Sequence, residues 1–315
     1  MADLATPMAI RVAATLSLVE HAGTAGATAQ RLAAASGRAA PALGRLLDHL
    51  VTIGAFELDA EGRYRATDLG AQMVGVKPLL DINRAGGRAE LAFVDLLETI
   101  TTGTPAYEHR YGQGFWADLA ARPDLRRTFD DQMNWRFREQ APQIAARFDW
   151  ARFPEILDVG GGDGTMLTAI LQAHSGVRGR VLDLPESTAA ATERFAAAGV
   201  ADRAGTVAGS FFDPLPTGAD AYVLSDILHN WDDDHARAIL TGCRQAAAQT
   251  GTVVVIEAMR GQGVGTAMDL FMLMCFGGHE RTIAELTDLA AGCGLTLHGS
   301  APVSDERTVL EFRVA

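Results

Sequence analysis

A short apolar stretch that runs into a glycine-rich segment constrains the fold of this 315-residue chain more than any other feature. Residues 156–159 are typical of a buried strand, and residues 158–165 read Asp-Val-Gly-Gly-Gly-Asp-Gly-Thr. Glycine lets the backbone approach a ligand without a clash from a Cβ atom, and ligands of open α/β sheets lie at the carboxyl ends of the strands. Gly160, Gly162 and Gly164 therefore predict a nucleotide-type site, with a purely structural tight turn as the alternative.

Three further apolar stretches extend the strand pattern along the chain. They cover residues 180–183, 221–225 and 252–257, and alanine-rich stretches of helical character separate them. Strands that alternate with helices form a parallel sheet that is covered on both faces. The second half of the sequence therefore predicts a doubly wound α/β domain.

An acidic residue after the second predicted strand strengthens the nucleotide prediction. Asp183 stands 23 positions beyond Gly160 (183 − 160), where a carboxylate can accept hydrogen bonds from the hydroxyls of a ribose. The glycine spacing is GxGxG rather than the GxGxxG of dinucleotide-binding folds. Because NAD and S-adenosylmethionine both carry a ribose, Asp183 by itself does not separate them.

The first part of the chain predicts a different module. Apolar residues at helical spacing over residues 7–53, followed by two short strand candidates at 54–58 and 64–67, give three helices and a hairpin, the pattern of a winged helix. A DNA-reading module of this kind usually has a basic face. Residues 1–80 carry seven basic and seven acidic side chains, so we favour a dimerisation or packing role over DNA binding.

Composition narrows the function classes further. The formal net charge of −12 disfavours binding to nucleic acids or to anionic membrane surfaces. Three cysteines without a CxxC pair favour a reducing compartment. The N-terminus lacks the pattern of a signal peptide, and no stretch approaches the ~20 apolar residues of a spanning helix. We therefore expect a cytoplasmic protein.

Five short segments, taken together, carry a family resemblance. They begin at Asp158 (Asp-Val-Gly-Gly-Gly-Asp-Gly), Val181 (Val-Leu-Asp-Leu-Pro), Gly209 (Gly-Ser-Phe-Phe-Asp-Pro-Leu-Pro), Leu228 (Leu-His-Asn-Trp-Asp-Asp) and Gly277 (Gly-Gly-His-Glu-Arg-Thr). In this order they resemble the small-molecule O-methyltransferases typified by plant caffeic acid and chalcone enzymes and by bacterial polyketide-tailoring enzymes. The resemblance spans nearly the whole chain.

The resemblance implies a class I methyltransferase fold, which is Rossmann-like with a mostly parallel, doubly wound sheet. It implies S-adenosylmethionine as the cofactor and a homodimer formed through the winged-helix-like N-terminal domain. The domains expected on this basis are a dimerisation domain at 1–80, a helical connector at 81–150 that contributes to the substrate pocket, and a cofactor-binding catalytic domain at 151–315.

Positions of the cofactor site follow from the same resemblance. Gly160 would approach the methionine part, Asp183 would hold the ribose, and Ser225 would lie near the sulfonium. Ser210 and Phe211 would flank the adenine. Plant members often have Asp-Met at these two positions and Lys at the position of Ser225. Trp231 would pack near the adenine, with ordinary core packing as an equal alternative. The full set is Asp158, Gly160, Gly162, Asp183, Leu184, Ser210, Phe211, Ser225 and Trp231.

A histidine at the end of a predicted strand supplies a candidate base. His229 stands five residues beyond the apolar stretch 221–224 and matches the catalytic histidine of the family. A phenol has a pKa of about 10, so a base with a pKa near ~6.5 is useful at neutral pH. Glu257 and Glu280 match the glutamates that orient this histidine. The alternatives are a capped helix start without chemistry and a catalysis by alignment alone, as some bacterial relatives without this histidine use.

Substrate and metal sites are less marked in the sequence. Residues 268–276 have helical spacing and soft side chains that suit an aromatic ligand or a buried helix equally. The acidic residues 232–234 adjoin a predicted helix start and complement its dipole, so we predict no metal site. The substrate candidates, chosen with the help of the resemblance, are Met133, Trp135, Asp269, Met272 and Phe276.

The leading hypothesis is an S-adenosylmethionine-dependent O-methyltransferase that acts on a small aromatic secondary metabolite, a polyketide or phenolic compound. An alternative keeps the cofactor but transfers the methyl group to nitrogen or carbon, or catalyses a diverged reaction without methylation. A third hypothesis, from another class, is a winged-helix regulator with a ligand-sensing domain. The balanced charge of residues 1–80 counts against the regulator.

Overall fold

The computed structural model of the chain describes residues 3–263 and 265–315 and falls into two compact units. One unit comprises Met1–Val94 and Trp116–Gln132, and the other comprises Asp95–Phe115 and Met133–Ala315. Within the described ranges, no helix is long and apolar enough to cross a membrane.

The first unit begins with the helices and the hairpin that the apolar spacing predicts. Thr28 accepts a hydrogen bond from the Arg31 N–H and so caps the third helix, as its position before an apolar pattern indicates. One predicted helix is divided, because Ser17 takes a left-handed conformation with φ of 53°. The elements are α1 Ala5–Thr15, α2 Leu18–Ala22, α3 Ala29–Ser36, α4 Ala40–Thr52, β1 Phe56–Leu58, β2 Tyr64–Ala66, α5 Asp68–Gly75, α6 Lys77–Leu80 and α7 Ala85–Glu90.

Helices also make up the segment that follows, in agreement with the prediction for residues 81–150. A 3-10 helix at Leu91–Asp95 leads into four α-helices. These are α8 Leu96–Thr102, α9 Ala106–Tyr111, α10 Phe115–Ala121 and α11 Pro123–Arg147.

The second unit is built on a seven-stranded sheet in the order β5-β4-β3-β6-β7-β9-β8. The first five strands are parallel, while β9 runs antiparallel to β7 and β8 runs antiparallel to β9. The strands are β3 Glu155–Val159, β4 Arg178–Asp183, β5 Ala204–Ala208, β6 Ala221–Ser225, β7 Thr252–Glu257, β8 Leu295–Pro302 and β9 Thr308–Val314.

Helices cover both faces of this sheet, as the nearly continuous apolar strands predict. Val253 and Val255 belong to one buried cluster and Val254 and Ile256 to the other, so alternate side chains of β7 serve opposite faces. The helices of this part are α12 Thr165–Ala173, α13 Pro185–Ala197, α14 Asp233–Ala247, α15 Ala267–Cys275 and α16 Ile283–Gly292.

The topology fixes where a ligand binds. The chain leaves β3 toward β4 on one side and later returns to place β6 on the other side. The carboxyl ends of β3 and β6 therefore border the switch point of the sheet, which is the usual ligand crevice of doubly wound folds. Gly160 follows β3, and Asp226 follows β6, at this same edge.

The packing of β9 gives a stability prediction. Phe312 is fully buried opposite Val253, whereas the next residue, Arg313, is exposed. We expect Phe312→Ala to lower the free energy of unfolding by about 3–5 kcal/mol through loss of burial and a residual cavity. Arg313→Ala on the same strand should change it by about 0.5 kcal/mol or less. Urea unfolding followed by circular dichroism measures both, and equal losses would contradict this packing.

Candidate active site

The glycine-rich turn after β3 adopts a backbone that other residues rarely take. The φ angles of Gly160, Gly162 and Gly164 are 76°, 59° and 74°. A Cβ atom on Gly160 would lie 2.5 Å from Cδ1 of Ile227, and one on Gly164 would lie 2.7 Å from the ring of Phe195. The tight turn and the ligand site are therefore compatible, because the same glycines shape the backbone and leave the crevice open.

Asp183 lies at the carboxyl end of β4 with its carboxylate held by two backbone groups. The N–H of Gly162 donates to Oδ2 at 2.9 Å, and the N–H of Leu184 donates to Oδ1 at 2.7 Å. The residue is half-buried and Leu184 is exposed beside it, so this carboxylate can accept hydrogen bonds from ribose hydroxyls.

Two buried polar side chains at this edge lack a partner among the described residues. One is Asp158, with both of its carboxylate oxygens, and the other is Ser225, with its hydroxyl. Burial, together with the nearby charge of Asp183, raises the pKa of Asp158 to about 7. Buried polar groups are normally hydrogen-bonded, so these atoms fit a ligand that carries polar groups of its own. The ammonium and carboxylate of the methionine part of S-adenosylmethionine are such groups.

An aromatic cluster borders the same crevice. The ring of Trp231 lies 6.1 Å from that of Phe211 and 5.0 Å from that of Phe212, in edge-to-face arrangements. A Cβ atom on Gly160 would also lie 3.4 Å from the Phe211 ring, which brings the cluster to the glycine turn. Ser210 accepts a hydrogen bond from the Phe212 N–H through its hydroxyl. Phe212 also belongs to this cluster, although it was not among the cofactor residues predicted from the sequence.

His229 lies in a 3-10 turn, Leu228–Asn230, that follows β6, and its side chain is buried. The guanidinium of Arg281 donates to the carbonyl of Leu228 at 3.0 Å and to that of Trp231 at 2.9 Å. Gly278 passes so close that an added Cβ atom would collide with the His229 carbonyl. The turn is therefore held on both sides, and the imidazole has a fixed place at the carboxyl edge.

The two predicted glutamates lie at this turn in different ways. Oε1 of Glu257 accepts a hydrogen bond from the backbone N–H of His229 at 3.1 Å, so it fixes the main chain rather than the ring. The backbone N–H of Glu280 donates to Oδ1 of Asp269 at 2.8 Å. Nδ1 of His229 and Oε1 of Glu280 are buried, and neither has a partner in the described part of the chain.

Burial and charge set the protonation states of this group. Burial lowers the pKa of His229 to about 4, although the charge of Asp226 acts in the opposite direction. Burial and the charge of Asp226 raise the pKa of Glu257 to about 7. Burial and the charge of Asp269 raise the pKa of Glu280 to about 7. At neutral pH the imidazole is therefore uncharged. Burial makes it a weaker base than the value near ~6.5 expected from the sequence, so an anion that favours the imidazolium matters for proton uptake.

The remaining predicted residues lie on α11 and α15 or directly after α15. Met272 is buried, and Phe276 packs edge-on against Phe115 with the ring centroids 4.9 Å apart. Met133 and Trp135 are half-buried on α11. The intervening residue, Asn134, accepts a hydrogen bond from the Thr165 hydroxyl at the start of α12, which places this part of α11 beside the glycine turn. The acids at 232–234 adjoin the start of α14, where the Asp232 side chain accepts from the His235 N–H.

The doubly wound sheet, the GxGxG turn at its switch point and the Asp183 carboxylate after the next strand fit a class I methyltransferase, and the comparisons with known proteins show this fold. The chain belongs to the O-methyltransferase family. A family model described as an O-methyltransferase domain matches residues 93–296, and one described as an O-methyltransferase dimerisation domain matches residues 1–75. The protein is therefore an S-adenosylmethionine-dependent O-methyltransferase, as the five motifs predict.

Several named enzymes are similar to this chain over nearly its whole length. The chain is 48% identical over 310 residues to 2,7-dihydroxy-5-methyl-1-naphthoate 7-O-methyltransferase of Streptomyces carzinostaticus, with 96% of this chain and 93% of the relative covered. It is 40% identical over 330 residues to aclacinomycin 10-hydroxylase RdmB of Streptomyces purpurascens, with 99% and 88% covered. The crystal structure of the O-methyltransferase NcsB1 from neocarzinostatin biosynthesis, in complex with S-adenosylmethionine and 2-hydroxy-5-methyl naphthoic acid, superposes with a TM-score of 0.96. Its identity is 47%, and 100% of this chain and 97% of that chain are covered.

The glycine turn gives a binding prediction. Gly160→Ala introduces a Cβ atom at a φ of 76° and against Ile227, so we expect it to weaken S-adenosylhomocysteine binding by roughly tenfold or more. Gly176→Ala is the matched control, because its Cβ atom would meet no heavy atom within 4 Å and it needs no positive φ. Isothermal titration of both variants measures the affinity. Equal affinities would contradict a cofactor crevice at Gly160.

Proposed function

We propose that this enzyme transfers the methyl group of S-adenosylmethionine to a hydroxyl of a small aromatic secondary metabolite, with His229 as the general base. The observation that carries the proposal is a buried, uncharged imidazole at the carboxyl end of β6, on the same sheet edge as the glycine turn. S-Adenosylmethionine supplies, when bound, an electrophilic methyl group whose bonding electron pair remains on sulfur. The cofactor residues are those predicted from the sequence, with Asp158, Gly160, Asp183 and Ser225 best supported by the geometry.

The residues of the site would align the acceptor and take its proton. A phenol with a pKa of about 10 is largely protonated at neutral pH, so removal of the proton by a positioned base speeds attack on the methyl group. His229 would receive this proton and become an imidazolium. Glu280, which has a buried oxygen without a partner among the described residues, would stabilise that cation when ionised, in the manner of the carboxylate of a catalytic triad.

The acceptor class rests on the apolar candidates and on the relatives. Met272 and Phe276 supply soft and aromatic surface, as Met133 and Trp135 do from α11, and such surface suits a fused-ring acceptor. Relatives of this chain act on or bind naphthoates. A hydroxylated naphthoate is therefore the first acceptor to test, and transfer to its hydroxyl oxygen is favoured over transfer to nitrogen or carbon.

We also propose that the enzyme is a homodimer with three functional parts. Residues 1–80 would form the dimer, residues 81–150 would contribute to the substrate pocket, and residues 151–315 would hold the cofactor and the base. The match of residues 1–75 to a dimerisation domain supports this organisation.

The product identifies the reaction. The enzyme is incubated with 2,7-dihydroxy-5-methyl-1-naphthoate and S-adenosylmethionine labelled in its methyl group, and the product is analysed by mass spectrometry and NMR. The proposal expects a labelled methyl group on oxygen. A product that gains one oxygen atom instead would match the hydroxylase relative and would contradict the proposal, as would label on carbon.

Replacement of the base gives a kinetic prediction. His229→Ala should lower kcat by about 10²–10⁴-fold, the usual contribution of a general base, with S-adenosylhomocysteine affinity unchanged. His298→Ala on β8 is the control histidine and should have the kcat of the wild type. A His229→Ala enzyme with wild-type kcat would mean that alignment alone drives the reaction.

The raised pKa values of the glutamates predict a pH dependence. Because Glu280 has a pKa of about 7, acidification through this range neutralises the carboxylate that would stabilise the imidazolium. Glu257 has a similar pKa and loses the charge that holds the His229 main chain. We expect kcat to fall as the pH drops below 7, which gives the kcat–pH profile an acid limb. His229, with its pKa of about 4, does not titrate in this range. Glu280→Gln should lower the plateau of the profile and flatten its acid limb. An unchanged limb in Glu280→Gln would assign the titration to another group.

A further inference from the structure

Asp226, an acidic residue that was not among the predicted site residues, lies directly after β6. Asp226 has a φ of 52°, a left-handed conformation that Asp and Asn tolerate better than most residues. Its N–H donates to the Ile256 carbonyl at 3.0 Å, and its carbonyl accepts from Nδ2 of Asn230 at 3.0 Å. These bonds tie the backbone of Asp226 to β7 and to the turn that carries His229.

The Asp226 carboxylate forms a buried ion pair across the sheet edge. Nε of Arg307 donates to its Oδ1 at 2.9 Å, and Nη2 of Arg307 donates to its Oδ2, so the pair is bidentate. The guanidinium, which precedes β9, also lies over the ring of Phe137 with Cζ 5.1 Å from the centroid. Both side chains are almost inaccessible to solvent. Burial of charge is costly, and a well-packed apolar pair often serves stability as well, so stability alone gives little reason for these charges.

Among the charged groups around His229, Asp226 is distinguished by its protonation state. Asp226, Arg136, Arg281 and Arg307 are the charged groups that act on the His229 ring. Two further acids, Glu257 and Glu280, interact with the charge of Asp226. Both glutamates have pKa values of about 7 and are partly protonated at neutral pH. Against the cost of burial, the charge of Arg307 lowers the pKa of Asp226 to about 2. Of the three acids, Asp226 is therefore the permanent anion.

We infer that Asp226, kept ionised by Arg307, is a positioning residue whose fixed negative charge stabilises the imidazolium formed when His229 takes the acceptor proton. The inference rests on the proposed function. In the reaction the acceptor O–H bond breaks, its proton moves to the imidazole, and a positive charge appears on the ring as the charge of the sulfonium disappears. An anion that is ionised before the reaction begins needs no reorganisation to stabilise that charge.

Asp226→Asn tests this role with little change in shape. Asparagine accepts the same φ and can still accept a hydrogen bond from Arg307. We expect kcat to fall by roughly tenfold, the fold-change that corresponds to destabilising the imidazolium by about one pKa unit. KM and S-adenosylhomocysteine affinity should stay unchanged. Because the charge of Asp226 raises the pKa of Glu257 and of Glu280, the acid limb of kcat should also move to lower pH.

Two further variants separate charge from structure. Asp305→Asn is the matched control, because Asp305 binds Arg147 and Gln143 on the same turn before β9 but is exposed. It should leave kcat and its pH profile unchanged. Asp226→Asn combined with Arg307→Gln removes both charges together, so no unpaired cation remains buried. This double variant should fold as stably as the wild type and still have the low kcat.

The outcomes distinguish the inference from the proposed function. Activity is measured on the naphthoate probe, and the protonation midpoint of His229 is followed by NMR without any acceptor. Loss of the Asp226 charge should lower that midpoint by roughly one unit, since the imidazolium loses its counter-charge. Wild-type kcat in a folded Asp226→Asn enzyme, recovery of kcat in the double variant, or an unmoved His229 midpoint would overturn the inference while His229→Ala stays impaired. Wild-type kcat in His229→Ala would overturn the proposed base and the inference together.

Discussion

The site depends on one buried guanidinium. Arg281 is 1% exposed, and its donors bind the carbonyls of Leu228 and Trp231 and the carboxylate of Asp233. A buried cation is tolerated only when its donors are satisfied, so the segment after β6 must keep this conformation. That conformation sets the place of the His229 ring and of the aromatic side chain at Trp231. It also positions Asp233 in the first turn of α14, where the helix dipole favours an acid.

Burial then decides which groups of the site carry charge. Removal from water disfavours every ionised form. It leaves His229 uncharged at neutral pH and raises the pKa values of Glu257 and Glu280 to about 7. Asp226 departs from this trend because Arg307 is close enough to outweigh the cost of burial. A neutral imidazole with an ionised Asp226 beside it suits the proposed reaction, in which the acceptor proton leaves as the methyl group arrives. The geometry of the crevice and its electrostatics therefore support the same reaction.

Much of this arrangement could be predicted from the sequence, because local patterns encode it. The glycine turn, the buried strands β3, β4, β6 and β7, and the position of His229 follow from spacing and apolar character. Strand β5 was not predicted, since Ala-Gly-Thr-Val-Ala is only weakly apolar and lies half-buried at the sheet edge. The antiparallel pair β8 and β9 was also missed, as β8 is largely exposed. The ion pair of Asp226 with Arg307 joins residues 81 positions apart, and a local sequence pattern cannot predict such a contact.

The most direct test is a crystal structure of the complex with S-adenosylhomocysteine and a hydroxylated naphthoate. We predict that the acceptor hydroxyl lies within about 2.6–3.2 Å of a ring nitrogen of His229, the reach of a general base. We also predict that this hydroxyl faces the sulfur atom of the cofactor product across the space that a methyl group would fill, with Asp183 on the ribose. An acceptor whose hydroxyl points away from His229 or from the sulfur would contradict the proposed reaction.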